Sequence, residues 1–270
     1  MVQGYSELAK LSVFSIENAE KITGNKKSAY SLLARLMKKG LVKKIRNNIY
    51  STVNPATGQI FATRYQIACA ASPTAYISHH SAFEFYGLAN QVFYEIYVSS
   101  ETRFRDFQFD NISYKYIASK IHGGVCEAKN TQGVRVTDLE RTVLDSIKDF
   151  KKIGGFEELL NCLEGVQFLN EEKLKQYLEE YDIQSLYQKT GYLLSHFKNE
   201  MQLSDAFISW CNEKIGKSTR YLIKDYDGPT CYDRVWKLVV PELLFDDPEI
   251  LSRIRNHPMA LWKIRQGKGI

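Results

Sequence analysis

The chain has no run of about 18 uncharged apolar residues, so it offers no helix that crosses a bilayer. Its first ten residues, Met1 to Lys10, lack the basic stretch followed by an apolar stretch that marks a secretory leader, and the expected location is cytoplasmic. Cysteine is sparse and unpaired in pattern. Cys69, Cys126, Cys162, Cys211 and Cys231 stand 57, 36, 49 and 20 residues apart, an odd number with no Cys-x-x-Cys, which excludes a zinc ribbon or a disulfide framework and fits isolated buried thiols in a reducing compartment. No Gly-x-Ser-x-Gly elbow occurs, and Gly24-Asn-Lys-Lys-Ser28 lacks the first glycine and the preceding strand of a phosphate loop. What remains is an ordinary globular composition, 44% hydrophobic and 25% charged, in 270 residues, a length that suggests two or three domains.

The net charge of +5 is distributed unevenly. Residues 1–60 hold ten Lys or Arg against three Asp or Glu, whereas 61–150 and 151–270 are each one charge short of neutral. The basic head has helical spacing. Tyr5, Leu8 and Leu11 repeat within Gln3 to Ser12; Ser15 caps a second helix with Ile16, Ala19 and Ile22; Ala29, Leu32, Leu33, Leu36 and Met37 form the apolar stripe of a third, which Gly40 stops. Leu41 to Arg46 and Ile49 to Val53 then read as a hairpin about Asn47-Asn48.

Three helices followed by a basic hairpin is the order of a winged helix-turn-helix, in which the third helix enters the major groove and the wing grips the backbone. The helix carries Lys26, Lys27, Arg35, Lys38 and Lys39, and the wing carries Lys43, Lys44 and Arg46. By residue type the lysines suit phosphates, Ser28 and the free N-H groups of the helix start suit a phosphate as well, and Asn25, Tyr30, Ser31 and Arg35 suit base edges. Asn47 and Asn48 at the wing tip complete the expected DNA-binding set.

The remainder is expected to be α+β. Residues 59–150 predict a mixed α/β domain with a mostly antiparallel sheet, behind the winged domain of 1–58, and 151–270 predict a helical region with a turn-rich, mixed-charge tail. In the middle segment Ser78 is placed to cap a helix from His79 to Tyr86, and Thr137 with Glu140 forms the pattern of a capping box. Arg141 and Asp145, four apart on one face, are spaced to pair. His80 and Glu84 share that spacing beside His79, with no further ligand near in sequence to complete a metal site. Lys214, Lys217, Arg220 and Lys224 make a local basic cluster, open to nucleic acid, a protein partner or solvent alone.

Two segments, Tyr76-Ile-Ser-His-His-Ser-Ala-Phe-Glu-Phe-Tyr-Gly-Leu88 and Gly133-Val-Arg-Val-Thr-Asp-Leu-Glu-Arg-Thr-Val-Leu-Asp145, resemble the signature segments of the AbiEi-type antitoxin and transcriptional regulator family. The motif residues are Ser78, His79, His80 and Glu84 in the first and Thr137, Asp138, Glu140, Arg141 and Asp145 in the second. The resemblance spans most of residues 1 to about 240. It implies a winged-helix repressor without catalytic residues, cofactor or metal, which binds repeated operator sites in double-stranded promoter DNA, regulates its own operon and counteracts a nucleotidyltransferase-like toxin in phage defence. Two alternatives stay open. Asp110 with Glu127-Ala-Lys129 has the residue types of a Mg²⁺-dependent nuclease, and the head also suits a non-catalytic interaction adaptor.

Overall fold

The structure, a computed structural model, describes residues 4–242 together with Leu244 and Phe245. It is a mixed α+β chain that divides into two compact units, each built from separated stretches. Met1–Ile77, Phe93–Ser119 and Val125–Val136 make the first; Ser78–Val92, Lys120–Gly124 and Thr137–Ile270 make the second. The stretch 59–150 therefore contributes to both. The end of the expected C-terminal tail, from residue 246 on, lies outside the described residues. Cys69, Cys162 and Cys211 are buried as expected, whereas Cys126 and Cys231, both in strands, are exposed.

The first unit begins with α1 (Tyr5–Ala9), α2 (Ile16–Thr23) and α3 (Lys26–Lys38), followed by the antiparallel strands β1 (Val42–Arg46) and β2 (Ile49–Thr52). Local signals set these boundaries. Ser15 and Asn18 form a reciprocal capping box on α2, and the Asn25 carboxamide accepts the Ser28 amide at the start of α3. Gly40 follows α3 at φ 68°, a conformation that glycine adopts without strain. Leu8, Phe14, Ile16, Ala19, Ala29, Leu32, Leu33, Leu36, Val42 and Tyr50 close one buried core, and the Phe14 and Tyr50 rings stack with centroids 5.9 Å apart.

Behind the head, α4 (Arg64–Cys69) accompanies a six-stranded sheet. Its strands are β3 (Tyr76–Ile77), β4 (Glu95–Ser100), β5 (Phe107–Phe109), β6 (Ile112–Ala118), β7 (Val125–Glu127) and β8 (Arg135–Thr137), in the order β5-β6-β4-β3-β8-β7. The expectation of a mostly antiparallel sheet is corrected. β4 pairs with β6, and β3 with β8, in parallel, alongside the antiparallel pairs β3 with β4 and β5 with β6. The cause is the two-residue turn Asp110-Asn111, both at positive φ, which ties β5 to β6. Residues 101–106 carry β5 past the outer side of β6, so β6 arrives parallel to β4.

The second unit is mainly helical: α5 (His80–Phe85), α6 (Leu139–Lys148), a 3₁₀ turn (Phe150–Ile153), α7 (Phe156–Glu164), α8 (Glu171–Tyr181), α9 (Gln184–His196) and α10 (Asp205–Glu213). Asn170 and Ser204 cap α8 and α10 through their side chains as their positions predict. The turn-rich tail contains structure that residue patterning left out. β9 (Arg220–Tyr221), β10 (Thr230–Asp233) and β11 (Leu238–Pro241) form a three-stranded sheet in the order β10-β11-β9. Trp236, buried, lies against Gly191 on α9, where a Cβ would come within 2.0 Å of its ring.

Candidate nucleic-acid interface

The amphipathic spacing of α3 buries Ala29, Leu32, Leu33 and Leu36 and leaves the opposite face open. Lys26, Lys27, Ser28, Tyr30, Ser31, Arg35, Lys38 and Lys39 are all exposed, and Tyr30 keeps 53% of its surface in solvent despite its ring. Thr23, Lys27, Ser31 and Arg35 line an open groove of about 710 Å³, with Glu7 on another wall. On the hairpin, Lys43, Lys44 and Asn47 are exposed. Seven cations thus stand on the surface of two consecutive elements, with no acid on either element to offset them.

Four of the expected contact residues also make bonds or packing contacts within the head. Arg46 turns inward. Its guanidinium carbon lies 4.7 Å from the Phe107 ring centroid and 5.7 Å from that of Phe104, and burial lowers its pKa. Asn48 bridges the hairpin to α2: its Oδ1 accepts the Ile16 amide at 2.9 Å and its Nδ2 donates to Glu17 Oε2 at 2.9 Å. Hydrogen bonds from Ser15 and then Asn48 hold the exposed Glu17 carboxylate down to about 2. Asn25, though exposed, has its Oδ1 on the Ser28 amide as the α3 cap, and Ser31 Oγ donates back to the Lys27 carbonyl at 3.1 Å. Tyr30 and Arg35 are exposed on α3.

The motif residues of the second unit form a buried polar network. Arg141, 1% exposed, donates through Nε to Asp145 Oδ1 at 2.8 Å and through Nη1 to the carbonyls of Gly123 at 2.7 Å and Ile121 at 3.3 Å. Tyr181 donates to the same Asp145 oxygen. Asp138, not Thr137, caps α6, accepting the Arg141 amide at 2.9 Å. The expected capping box is absent because Thr137 Oγ1 lies 2.7 Å from Thr142 Oγ1, and Glu140 reaches across to accept the Asn170 amide. Tyr177 and Lys173 complete the ring of partners around Asp138 at 2.8 and 3.0 Å.

The first motif is equally internal. Ser78 does not cap α5; its Oγ sits 2.9 Å from His79 Nδ1, and His79 takes the cap position at φ 54°. Burial lowers the His79 pKa to about 4, the nearby Asp145 charge opposing that shift. His80 Nε2 lies 3.4 Å from Glu158 Oε1, which also accepts the Asn90 and Gln91 amides, while Glu84 is 4.0 Å from Nδ1. Glu158, Tyr177 and Tyr181 are the members that residue patterning missed, because their link to the motifs is made only in space.

The nuclease constellation does not assemble. Asp110 sits in the turn of β5, at one edge of the six-stranded sheet, and Glu127 on β7, at the other. Five strand spacings of about 4.8 Å put them some 24 Å apart, far beyond a shared ion. Among the described residues no three His, Cys, Asp or Glu side chains gather as a metal site.

No protein-family model and no curated protein matches the chain. Among solved structures it is similar to the crystal structure of the Rv2827c protein from Mycobacterium tuberculosis, with TM-score 0.66 and 14% identity over 94% of each chain. At that identity the likeness establishes a shared fold.

Proposed function

We propose that α1 to α3 with the β1-β2 hairpin work as a winged helix-turn-helix and that the protein is a DNA-binding repressor. One observation carries this reading: the exposed face of α3 and the outer side of the hairpin concentrate seven cations, on the two elements that such a domain sets against DNA. Lys26, Lys27, Lys38 and Lys39 on α3 and Lys43 and Lys44 on the wing neutralise phosphates, and the α3 start adds backbone N-H groups. Arg35 and Tyr30 face the bases. Arg46, Asn48, Asn25 and Ser31 support the frame that presents them.

The biological setting follows from the two motif segments. Their likeness to the AbiEi-type family supports reading this chain as the antitoxin of a toxin-antitoxin pair, repressing its own operon at repeated operators and counteracting a nucleotidyltransferase-like toxin.

Mobility-shift titration of DNA from upstream of the gene tests the first half. Lys27→Ala with Lys43→Ala is expected to weaken the shift at least tenfold at unchanged melting temperature, and undiminished binding would refute the docking face. Co-expression with the product of the adjacent gene tests the second, with rescue from toxicity expected and unrelieved toxicity contradicting it.

A further inference from the structure

The small C-terminal sheet presents an aromatic row that neither the basic head nor the buried network uses. Tyr232 on β10 stands opposite Val239 on β11, and Val239 stands opposite Tyr221 on β9. Residues opposed across paired strands project to one face. Leu238 and Val240, on either side of Val239, are buried, so the row through Val239 faces outward. Tyr221 is 57% exposed and Tyr232 50%, about 10 Å apart across two strand spacings, and among the described residues neither ring stacks on another.

The same edge is basic. Lys217 and Lys224, both exposed, flank β9, Arg220 lies on it beside Leu238 of β11, and Asp225, the acid next to Lys224, is engaged by Lys151 at 3.4 Å. Among the described residues none of Lys217, Arg220 and Lys224 has an ion-pair partner, in contrast to Lys214, which reaches Glu179 at 3.3 Å. Flat exposed rings beside unneutralised cations match a polyanion that also offers free ring faces. A duplex keeps its bases stacked inside and offers these tyrosines nothing to stack on; a single strand offers both phosphates and bases.

We propose that this face binds single-stranded nucleic acid, its bases stacking on Tyr221 and Tyr232 and its phosphates held by Lys217 and Lys224. The site is separate from the duplex-docking head and stands or falls independently of it.

Fluorescence anisotropy of the full chain with labelled mixed-sequence DNA and RNA single strands of about 12 nucleotides tests the proposal. Tyr221→Ala with Tyr232→Ala is expected to weaken single-strand binding about tenfold or more while leaving the duplex titration unchanged. Tyr221→Phe with Tyr232→Phe keeps the ring and retains binding. Preference for RNA or for DNA identifies which strand the face takes, and equal affinity assigns both. Single-strand binding that survives the alanine pair, or wild-type protein that binds no single strand at about 100 mM salt, overturns the proposal and leaves the face to a protein partner or to solvent.

Discussion

Asn48 engages both ends of its carboxamide within the head, one on the Ile16 amide and one on the Glu17 carboxylate. Asn48→Ala removes both bonds and the residue that tolerates φ 58° at the turn, so a loss of about 1–2 kcal/mol in urea denaturation is expected, with DNA affinity of the folded protein kept. In the second unit Arg141 is a fully buried cation whose removal strands Asp145. Arg141→Leu is expected to cost about 3–5 kcal/mol, and Arg141→Leu with Asp145→Leu to recover a large part of it, because the pair's desolvation nearly offsets its attraction. Failure of the double variant to recover would assign the cost to lost packing. His79 sets an acid limit. Its folded pKa, about 4, lies below the ordinary 6.5, so the unfolded chain takes up a proton that the native state refuses. The stability it contributes is complete above pH 6.5 and is lost as pH falls toward 4, by up to about 3 kcal/mol. His79→Asn should flatten the stability profile across that window; an unaltered profile would remove His79 as its origin.

The helices of the head were legible residue by residue because their signals are local: a cap, an apolar stripe at helical spacing, and a glycine at the stop. Strand identity was legible in the middle segment, but strand pairing was not. The parallel pairing of β4 with β6 depends on where a six-residue loop sends β5, and nothing in alternation records that. The packing of Arg46 was illegible for the same reason, since its aromatic partners Phe104 and Phe107 lie some sixty residues away in the chain. The three-stranded sheet escaped notice because β9 has only two residues and β11 ends in Pro241, too little for a period-two pattern. Its attachment to α9 depends on Gly191, the one residue whose surface admits the Trp236 ring. Gly191→Ala is expected to lower the melting temperature through a loss of about 1–3 kcal/mol, visible also as altered Trp236 fluorescence. Wild-type stability in that variant would mean the contact is looser than the geometry requires.

Across the whole chain, charge and motif separate cleanly between the two units. The net +5 resolves into a strongly basic head ahead of a nearly neutral remainder, and seven of the head's ten cations are exposed on α3, its C-cap and the hairpin. The motif residues lie in the other unit and face inward, so they frame that unit while exposed side chains are left to meet partners. Asn25, Ser31, Arg46 and Asn48 show what residue types leave open, since polar residues at helix starts and hairpin tips serve caps as readily as ligands. The central claim, that the head is a phosphate-docking surface, is tested most directly by the salt dependence of binding to DNA from upstream of the gene. With five or six of the seven exposed cations neutralising phosphates, log K against log salt concentration should fall with a slope of about −5, and Lys27→Ala should make it shallower by about one. A slope near zero, unchanged by that substitution, would contradict it.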